Sequence, residues 1–432
     1  MRHRFDWREL SQSATKPASP EERRARFSAL LARYDAGAGK LPALVKVTGT
    51  SGKGSVAAML EAALIADGKR VGLFTSPHLI DVTERIRILG SDIGAEELDA
   101  AAERVAARLD GHRPELRPSF FEVLLLLALD AFVEHRVEVA IVEVAIGGRH
   151  DVVSLLSAPL ALVTSVGLDH GAELGASIAA VAADKAGIAN PGTTLVLGPR
   201  LPAEALRVIR DDASRRRIRV VEASPAGLDA RSLGIAGFDV KLSGTTPHLA
   251  LPLAGRFQLD NLATAATAVE VLVELGLAGS LESLSGVERV RWPGRLELVE
   301  GEPPFVLDSA HNSLAFSALA EFFRELPERN RRTLLFGASE PDKLVEGLRI
   351  LGPHFASTYT VEGFFKSVTR EHHDAIPKDI VPSPPFSSPR QALDRLRSLN
   401  PRPELVVVTG SVYLVGACRR LLRESGHESP HA

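Results

Sequence analysis

The residues with most chemistry to offer lie between Ala43 and Ser55, in the run Ala-Leu-Val-Lys-Val-Thr-Gly-Thr-Ser-Gly-Lys-Gly-Ser. Gly49, Gly52 and Gly54 surround a single cation, Lys53, and a hydroxyl, Ser55, follows. Glycine lets backbone N–H groups approach an anion closely. Lys53 can reach a β/γ-phosphate, and the Ser55 hydroxyl can ligate Mg²⁺. The spacing is G-x-x-G-K-G-S, shorter at the front than the usual P-loop pattern G-x-x-x-x-G-K-S/T. The competing reading is an ordinary glycine-rich turn. The setting argues against it: Leu44 to Val47 reads as a buried strand, and Val56 to Leu64 as a helix. A helix N-terminus there adds positive partial charge to the cradle.

Other polar residues fall at the ends of apolar runs. Ser76 and His78 follow a strand at Arg70 to Phe74, and Asp169 and His170 follow one at Leu160 to Val166. Glu143 lies inside the strand-like run Val137 to Ile146 and is followed by Gly147-Gly148-Arg149. A carboxylate in a buried strand is costly unless it is paired or holds a metal. Two readings of Glu143 therefore stand: a salt bridge, with Arg149 as a candidate partner, or a Mg²⁺ ligand together with Ser55. Lys185, on a helical stretch from Ser177 to Ile188, has by spacing alone the look of a solvated lysine. Further on, Asp308 to Asn312 and Gly410-Ser411 each follow a strand and open a helix, so Asp308, Asn312 and Ser411 are also candidate N-caps. Asn261 reads as a cap and Arg295 as a linker arginine.

The elements that must position these residues alternate strand and helix, which predicts an α/β protein built on a doubly wound, mostly parallel sheet. Ligands then gather at the carboxyl ends of the strands. Helices are expected at Glu21 to Tyr34, Ala95 to Leu109, Phe120 to Glu134 and Leu259 to Leu275, with residues 1–20 loose in part. The pattern weakens from 195 to 255, where Phe238 to Leu242 and His248 to Leu251 suggest a small antiparallel insertion. Trp292 to Arg295 reads as a linker. A second alternation follows, with strands at Phe305 to Leu307, Thr333 to Phe336, Ser357 to Val361 and Leu405 to Val408. Helices are expected there at Leu314 to Leu326 and Val412 to Leu422, and Pro382 to Pro389 as a loop. The 432 residues thus divide into a P-loop domain over 1–294 and a smaller Rossmann-like α/β domain over 295–432. A net charge of −3 offers no broad basic surface for nucleic acid or anionic membrane. The single cysteine, Cys418, excludes an internal disulfide and fits a reducing cytoplasm. No apolar run is long enough to span a bilayer, and a soluble cytosolic protein is expected.

Taken together, the motifs resemble the Mur ligase superfamily and, within it, the folylpolyglutamate synthase/dihydrofolate synthase family. Gly49, Thr50, Ser51, Gly52, Lys53, Gly54 and Ser55 resemble the family's G-T-N-G-K-G-S, with Ser51 in place of Asn. Thr75 to Leu79 with Glu84 to Ile86, Glu143 to Asp151, Asp169-His170, Asp184 to Ile188, Gly255 to Gln258 with Asn261, Pro293 to Arg295, Asp308 to Asn312 and Gly410 to Gly416 follow in family order. The departures are Leu125 for Thr in Ser119 to Leu125, Ser154 for Asn, and His150 for Leu, all on the carboxylate-substrate side.

This resemblance implies ATP-dependent amide ligation. A substrate carboxylate is phosphorylated, and the amine of L-glutamate displaces phosphate from the acyl phosphate. It implies that Gly49 to Ser55, Asn261, Arg295 and Asp308 hold ATP. It implies one Mg²⁺ at Ser55, Ser76 and Glu143, and a second at His170 and Lys185, with Lys185 carbamylated. It places the pterin side at Ser119, Phe120, Phe121, Glu122, His150, Asp151 and Val152. His311 and Ser411 fall on the side of the acyl phosphate and glutamate. Lys53, Glu143, His170, Lys185 and His311 are the implied catalytic set. A monomer acting on small molecules, a pterin or folate acid and glutamate, is expected. Two alternatives differ in class: a Mur-type ligase for another acid, and a P-loop regulator that binds nucleotide without turnover.

Overall fold

The computed structural model describes residues 19–38, 40–109, 118–169, 171–242, 248–326, 331–376, 378, 380 and 384–426. Most of the segment expected to be loose at 1–20, and the first residues of the Pro382 to Pro389 loop, lie outside them. The chain divides into two compact units. The first comprises Met1–Asp229, Lys241–Leu249 and Asp260–Arg289, and the second Ala230–Val240, Ala250–Leu259 and Val290–Ala432.

The first unit opens with α1 (Pro20–Ala38), β1 (Ala43–Thr48), α2 (Lys53–Ala66) and β2 (Val71–Phe74). The short strands β3 (Ile86–Ile88) and β4 (Ser91–Asp92) follow, then α3 (Ala95–Leu109), α4 (Phe120–Glu134), β5 (Val139–Glu143) and β6 (Leu160–Val163). Next come α5 (Gly171–Leu174), α6 (Ile178–Ala186), β7 (Thr194–Leu197), α7 (Ala203–Arg216) and β8 (Arg219–Glu222). Eight strands form one sheet in the order β4-β3-β2-β5-β1-β6-β7-β8. All pairs from β2 to β8 are parallel, and β3 and β4 add an antiparallel edge. β5 is buried along its whole length, as a central parallel strand must be, and this explains its unbroken apolar run. α4 is buried from Glu122 to Phe132, which its all-round hydrophobicity dictates. The charged stretch after His78 becomes a turn and the strand β3, which the two-residue β4 covers at the edge of the sheet. α7 escaped the sequence pattern because only four of its residues are buried and most of the rest is charged.

Lys46, in the middle of β1, is wholly buried, and its Nζ donates to Leu156 O at 2.8 Å and Asn190 Oδ1 at 3.0 Å. On α2, Glu61 is also buried, with Arg87 Nη2 at 3.2 Å. Burial pushes its carboxyl up to about 7, against the attraction of Arg87 and with help from Asp92. A raised folded-state pKa favours folding fully below the unfolded value, and that contribution is lost as pH rises through about 7. Glu61→Gln should therefore flatten the fall in stability between pH 5 and pH 8, by up to about 3 kcal/mol. Urea unfolding at the two pH values reads this, and an unchanged slope would mean that Glu61 folds as a carboxylate.

Strands β9 (Leu228–Ser232), β10 (Phe238–Leu242) and β11 (Leu249–Leu251) form a three-stranded sheet, and α8 (Phe257–Glu274) follows. The second unit then alternates β12 (Glu297–Val299), β13 (Phe305–Leu307), α9 (Ser313–Glu325), β14 (Arg332–Phe336), α10 (Pro341–Leu351) and β15 (Ser357–Thr360). It closes with α11 (Arg370–Asp374), α12 (Pro389–Arg397), β16 (Leu405–Thr409) and α13 (Val412–Glu424). Its sheet runs β12-β13-β16-β14-β15, parallel except for β12. Its core is aromatic, with Phe316, Phe323 and Phe336 fully buried. Among the described residues no helix is long and apolar enough to cross a membrane.

Candidate active site

β1 lies between β5 and β6, so the chain leaves it in one direction and later returns on the other side. That reversal opens a crevice at the carboxyl end of β1, and the glycine loop sits there. The loop is held by the segment after β6. Thr50 N donates to Ser165 O at 3.1 Å, Ser51 N to Ser165 Oγ at 2.8 Å, and Thr164 Oγ1 to Ser51 O at 2.6 Å. The Thr50 hydroxyl, buried, donates to Gly167 O at 3.1 Å. Gly52 takes the left-handed conformation, φ 84°, at the start of α2, and a Cβ there would collide with Asn261 Oδ1. Asn261 is thus no cap: it lies in the second turn of α8 and approaches the loop. Lys53 Nζ donates to Gly49 O at 3.1 Å, and Ser55 is buried in the first turn of α2. The main-chain N–H groups at this helix start have no intrahelical partner, which suits them to phosphate oxygens.

Glu143 ends β5 in register with Val47 of β1, one residue short of the end of that strand. It is 4% exposed, and its Oε2 accepts from Ser76 N at 3.2 Å. The two residues expected to share a metal with Ser55 are therefore adjacent. Arg149, the alternative salt-bridge partner, instead lies 3.6 Å from Asp212. Lys185 is not a solvated lysine: it is 2% exposed on α6. Burial, with help from Lys53, pulls its amine down to about 7 against the opposing charges of Asp184 and Asp169. Gly148 is required beside it, since a Cβ would press within 2.8 Å of the main-chain carbonyls of Asp184 and Lys185. His170 lies outside the described residues.

On the expected pterin side, Ser119 caps α4, its N–H donating to Glu122 Oε2 at 2.7 Å. The same carboxylate pairs with Arg26 of α1 at 2.6 Å. Phe121 packs against Phe74, ring centres 5.4 Å apart, while Phe120 is exposed beneath the Arg85 guanidinium. Asp151 is buried and accepts from Val153 N at 2.9 Å and Ala145 N at 3.0 Å, and burial raises its pKa. The carboxylate therefore shapes the loop that carries His150 and Val152.

In the second unit, Asp308 is buried and accepts from Leu296 N at 3.0 Å and Ala310 N at 2.9 Å. Burial raises its pKa, and the nearby Arg295 opposes that. It therefore stitches Leu296, just after the Trp292 to Arg295 linker, to the end of β13 and is not a cap. Asn312 and Ser411 do cap α9 and α13. Gly410 N donates to Ala310 O at 3.0 Å, which brings the His311 and Ser411 loops together. Ser339, after β14, lies 3.0 Å from Ser411 through the two hydroxyls. Sequence reading missed Ser339, Thr164 and Ser165, although each is a hydroxyl just past a strand end, the same signal that picked out Ser76.

A glycine phosphate loop at the switch point of a parallel sheet, with a second parallel α/β unit behind it in sequence, defines a P-loop ligase of the Mur type. Residues 47–269 match the family model of the Mur ligase middle domain. Over 400 residues the chain is 32% identical to the dihydrofolate synthase/folylpolyglutamate synthase of Bacillus subtilis, which spans 87% of this chain and 90% of that protein. It is similar in structure to folylpolyglutamate synthase of Mycobacterium tuberculosis complexed with ADP, with a TM-score of 0.82 and 29% identity over 96% of each chain. It is also similar to FolC of Escherichia coli in complex with DHPP and ADP, with a TM-score of 0.81 and 28% identity over 97% of each. The chain belongs to the dihydrofolate synthase/folylpolyglutamate synthase family.

Proposed function

We propose that the protein is an ATP-dependent amide ligase that adds L-glutamate to dihydropteroate, to tetrahydrofolate and its polyglutamates, or to both, releasing ADP and phosphate. The observation that carries this reading is the buried Lys185, with an amine near neutrality, beside the glycine loop's Lys53. Carbamylation needs a neutral amine, and ordinary solvated lysines do not offer one at pH 7. The donors are mainly oxygen atoms, as Mg²⁺ prefers: Ser55, Ser76 and Glu143 would hold one ion, and a carbamate on Lys185 the other, with the His170 imidazole adding a nitrogen. Bound there, Mg²⁺ offsets the charge that gathers when a carboxylate meets a γ-phosphate.

The chain's own groups do the rest. The N–H groups at the start of α2 cradle the phosphates, Gly52 lets Asn261 approach the nucleotide, and Lys53 places a cation on the transferring phosphoryl group. Residues 1–294 are assigned as the ATP-binding part, and Arg295 and Asp308 of 295–432 are assigned to the nucleotide on the family motifs they match. His311 and Ser411 of that part receive the acyl phosphate and the incoming glutamate. The protein works as a cytoplasmic monomer on small molecules, with no nucleic acid or membrane partner.

A second reading, ligation of glutamate or another amino acid to a different acid, is favoured by one observation: His150 and Ser154, which depart from the family pattern, both lie on the acid side. An ADP-release assay decides between them, run with glutamate and with dihydropteroate, tetrahydrofolate and unrelated acids in turn. Release with a folate-type acid is expected. Release only with another acid would move the protein to the second reading, and nucleotide binding with no turnover on any acid would make it a regulator.

A further inference from the structure

We infer that α1 clamps the acid side of the site, with Arg24 as a positioning residue that holds the Arg149 to Ser154 segment in place; this rests on the ligase reading above. One face of α1 is anchored in the core by Phe27, Leu30 and Tyr34, all fully buried. Their spacing is that of a helix stripe, so the helix is a fixed part of the wall. Its first turns then present arginines to two separate substrate elements. Arg24 Nη1 donates to Arg149 O at 2.5 Å, to Asp151 O at 3.3 Å and to the Ser154 hydroxyl. Arg23 Nη2 donates to His150 O at 2.6 Å, and Arg26 pairs with Glu122 at the start of α4.

Three successive carbonyls, 149 to 151, thus each accept from an arginine of α1, those of 149 and 151 also from Ser154. Consecutive carbonyls in a loop have no ladder to bond to, and a guanidinium with several donors is suited to gather them. The opposite side of the segment is gripped by α6: Arg149 N donates to Asp184 O at 2.7 Å, and Gly148 leaves no room between it and Lys185. The segment is held between the helix that carries Lys185 and the helix that carries Arg24. Where the acid lies relative to the phosphate site is therefore set partly by a side chain that need not touch it. Ser154 fits this arrangement. Its hydroxyl takes the Arg24 donor and lies 2.6 Å from Asp151 O.

The test uses the full chain with Arg24→Gln, Arg24→Lys and Ser154→Ala. Two readouts are taken: hydrogen exchange of the 147–154 amides, and the KM values for acid and for ATP. Arg24→Gln should speed exchange across 147–154 and raise the acid KM, each about tenfold, with the ATP KM unchanged and kcat within about threefold. Ser154→Ala should shift both in the same direction by less, and Arg24→Lys should restore part of the loss. Unchanged exchange in all three variants, or acid and ATP KM rising together, would overturn the clamp. Exchange is read without substrate. A wild-type enzyme that turned over no acid would sink the ligase reading and leave the exchange result to decide the clamp alone.

Discussion

Lys53→Ala should lower kcat for ADP release by about 10³-fold or more while leaving the fold intact, because charge on the transferring phosphoryl group is what this site must stabilise. The side chain is only half-buried, and alanine would forgo its hydrogen bond to Gly49 O. One such bond is worth about 1 kcal/mol, so the urea midpoint should hardly move. There is a second effect. The Lys53 ammonium helps keep the Lys185 amine low, so its removal should raise that pKa and reduce the neutral amine available for carbamylation. Activity and carbamate content should therefore fall together. A Lys53→Ala enzyme with wild-type turnover would end the assignment of this loop.

Lys185→Ala should cost about 10²- to 10⁴-fold in kcat, the range expected when an anionic ligand of a catalytic ion is removed. Short carboxylates such as acetate should restore part of it by standing in for the carbamate oxygens. The modification can be read without activity: wild-type protein in ¹³C-bicarbonate should show a carbamate signal that Lys185→Ala lacks. The sign of its pH dependence follows from the lowered amine. Below about 7 the ammonium dominates and above it the free amine does, so the signal should be stronger at pH 8 than at pH 6. Fully active wild-type enzyme with no such signal would remove the carbamate from the mechanism.

Much of this architecture is written in local pattern. Ala95 to Leu109 and Phe120 to Glu134 form helices with the expected ends, because one has a clean amphipathic stripe and the other is apolar throughout. The strand ends were legible because β-branched runs stop at polar residues. Less legible was anything decided by distant packing. Lys185 looks like any helical lysine until the turn at Gly148 is laid against its backbone. Asn261 looks like a cap until α8 is seen to begin at Phe257. Arg23, Arg24 and Arg26 look like a solvated basic face, since nothing in their spacing shows that carbonyls more than a hundred residues later will lie opposite. α7 was missed for a different reason: its charged residues outnumber the few that pack, and the period is drowned.

Lys46 reaches from the middle of β1 to a main-chain oxygen at Leu156 and to Asn190 just past α6. Arg23 and Arg24 do likewise at 149 to 151. Most of these attachments grip peptide groups, which every residue type carries, so the frame around the phosphate loop is largely indifferent to which side chains stand at 150 and 156, while the Asp151 carboxylate, which holds Ala145 N and Val153 N, is fixed. Substrate preference can then drift by substitution on the acid side without retuning the machinery that activates ATP. A lineage built this way can change the acid it joins faster than the reaction it performs.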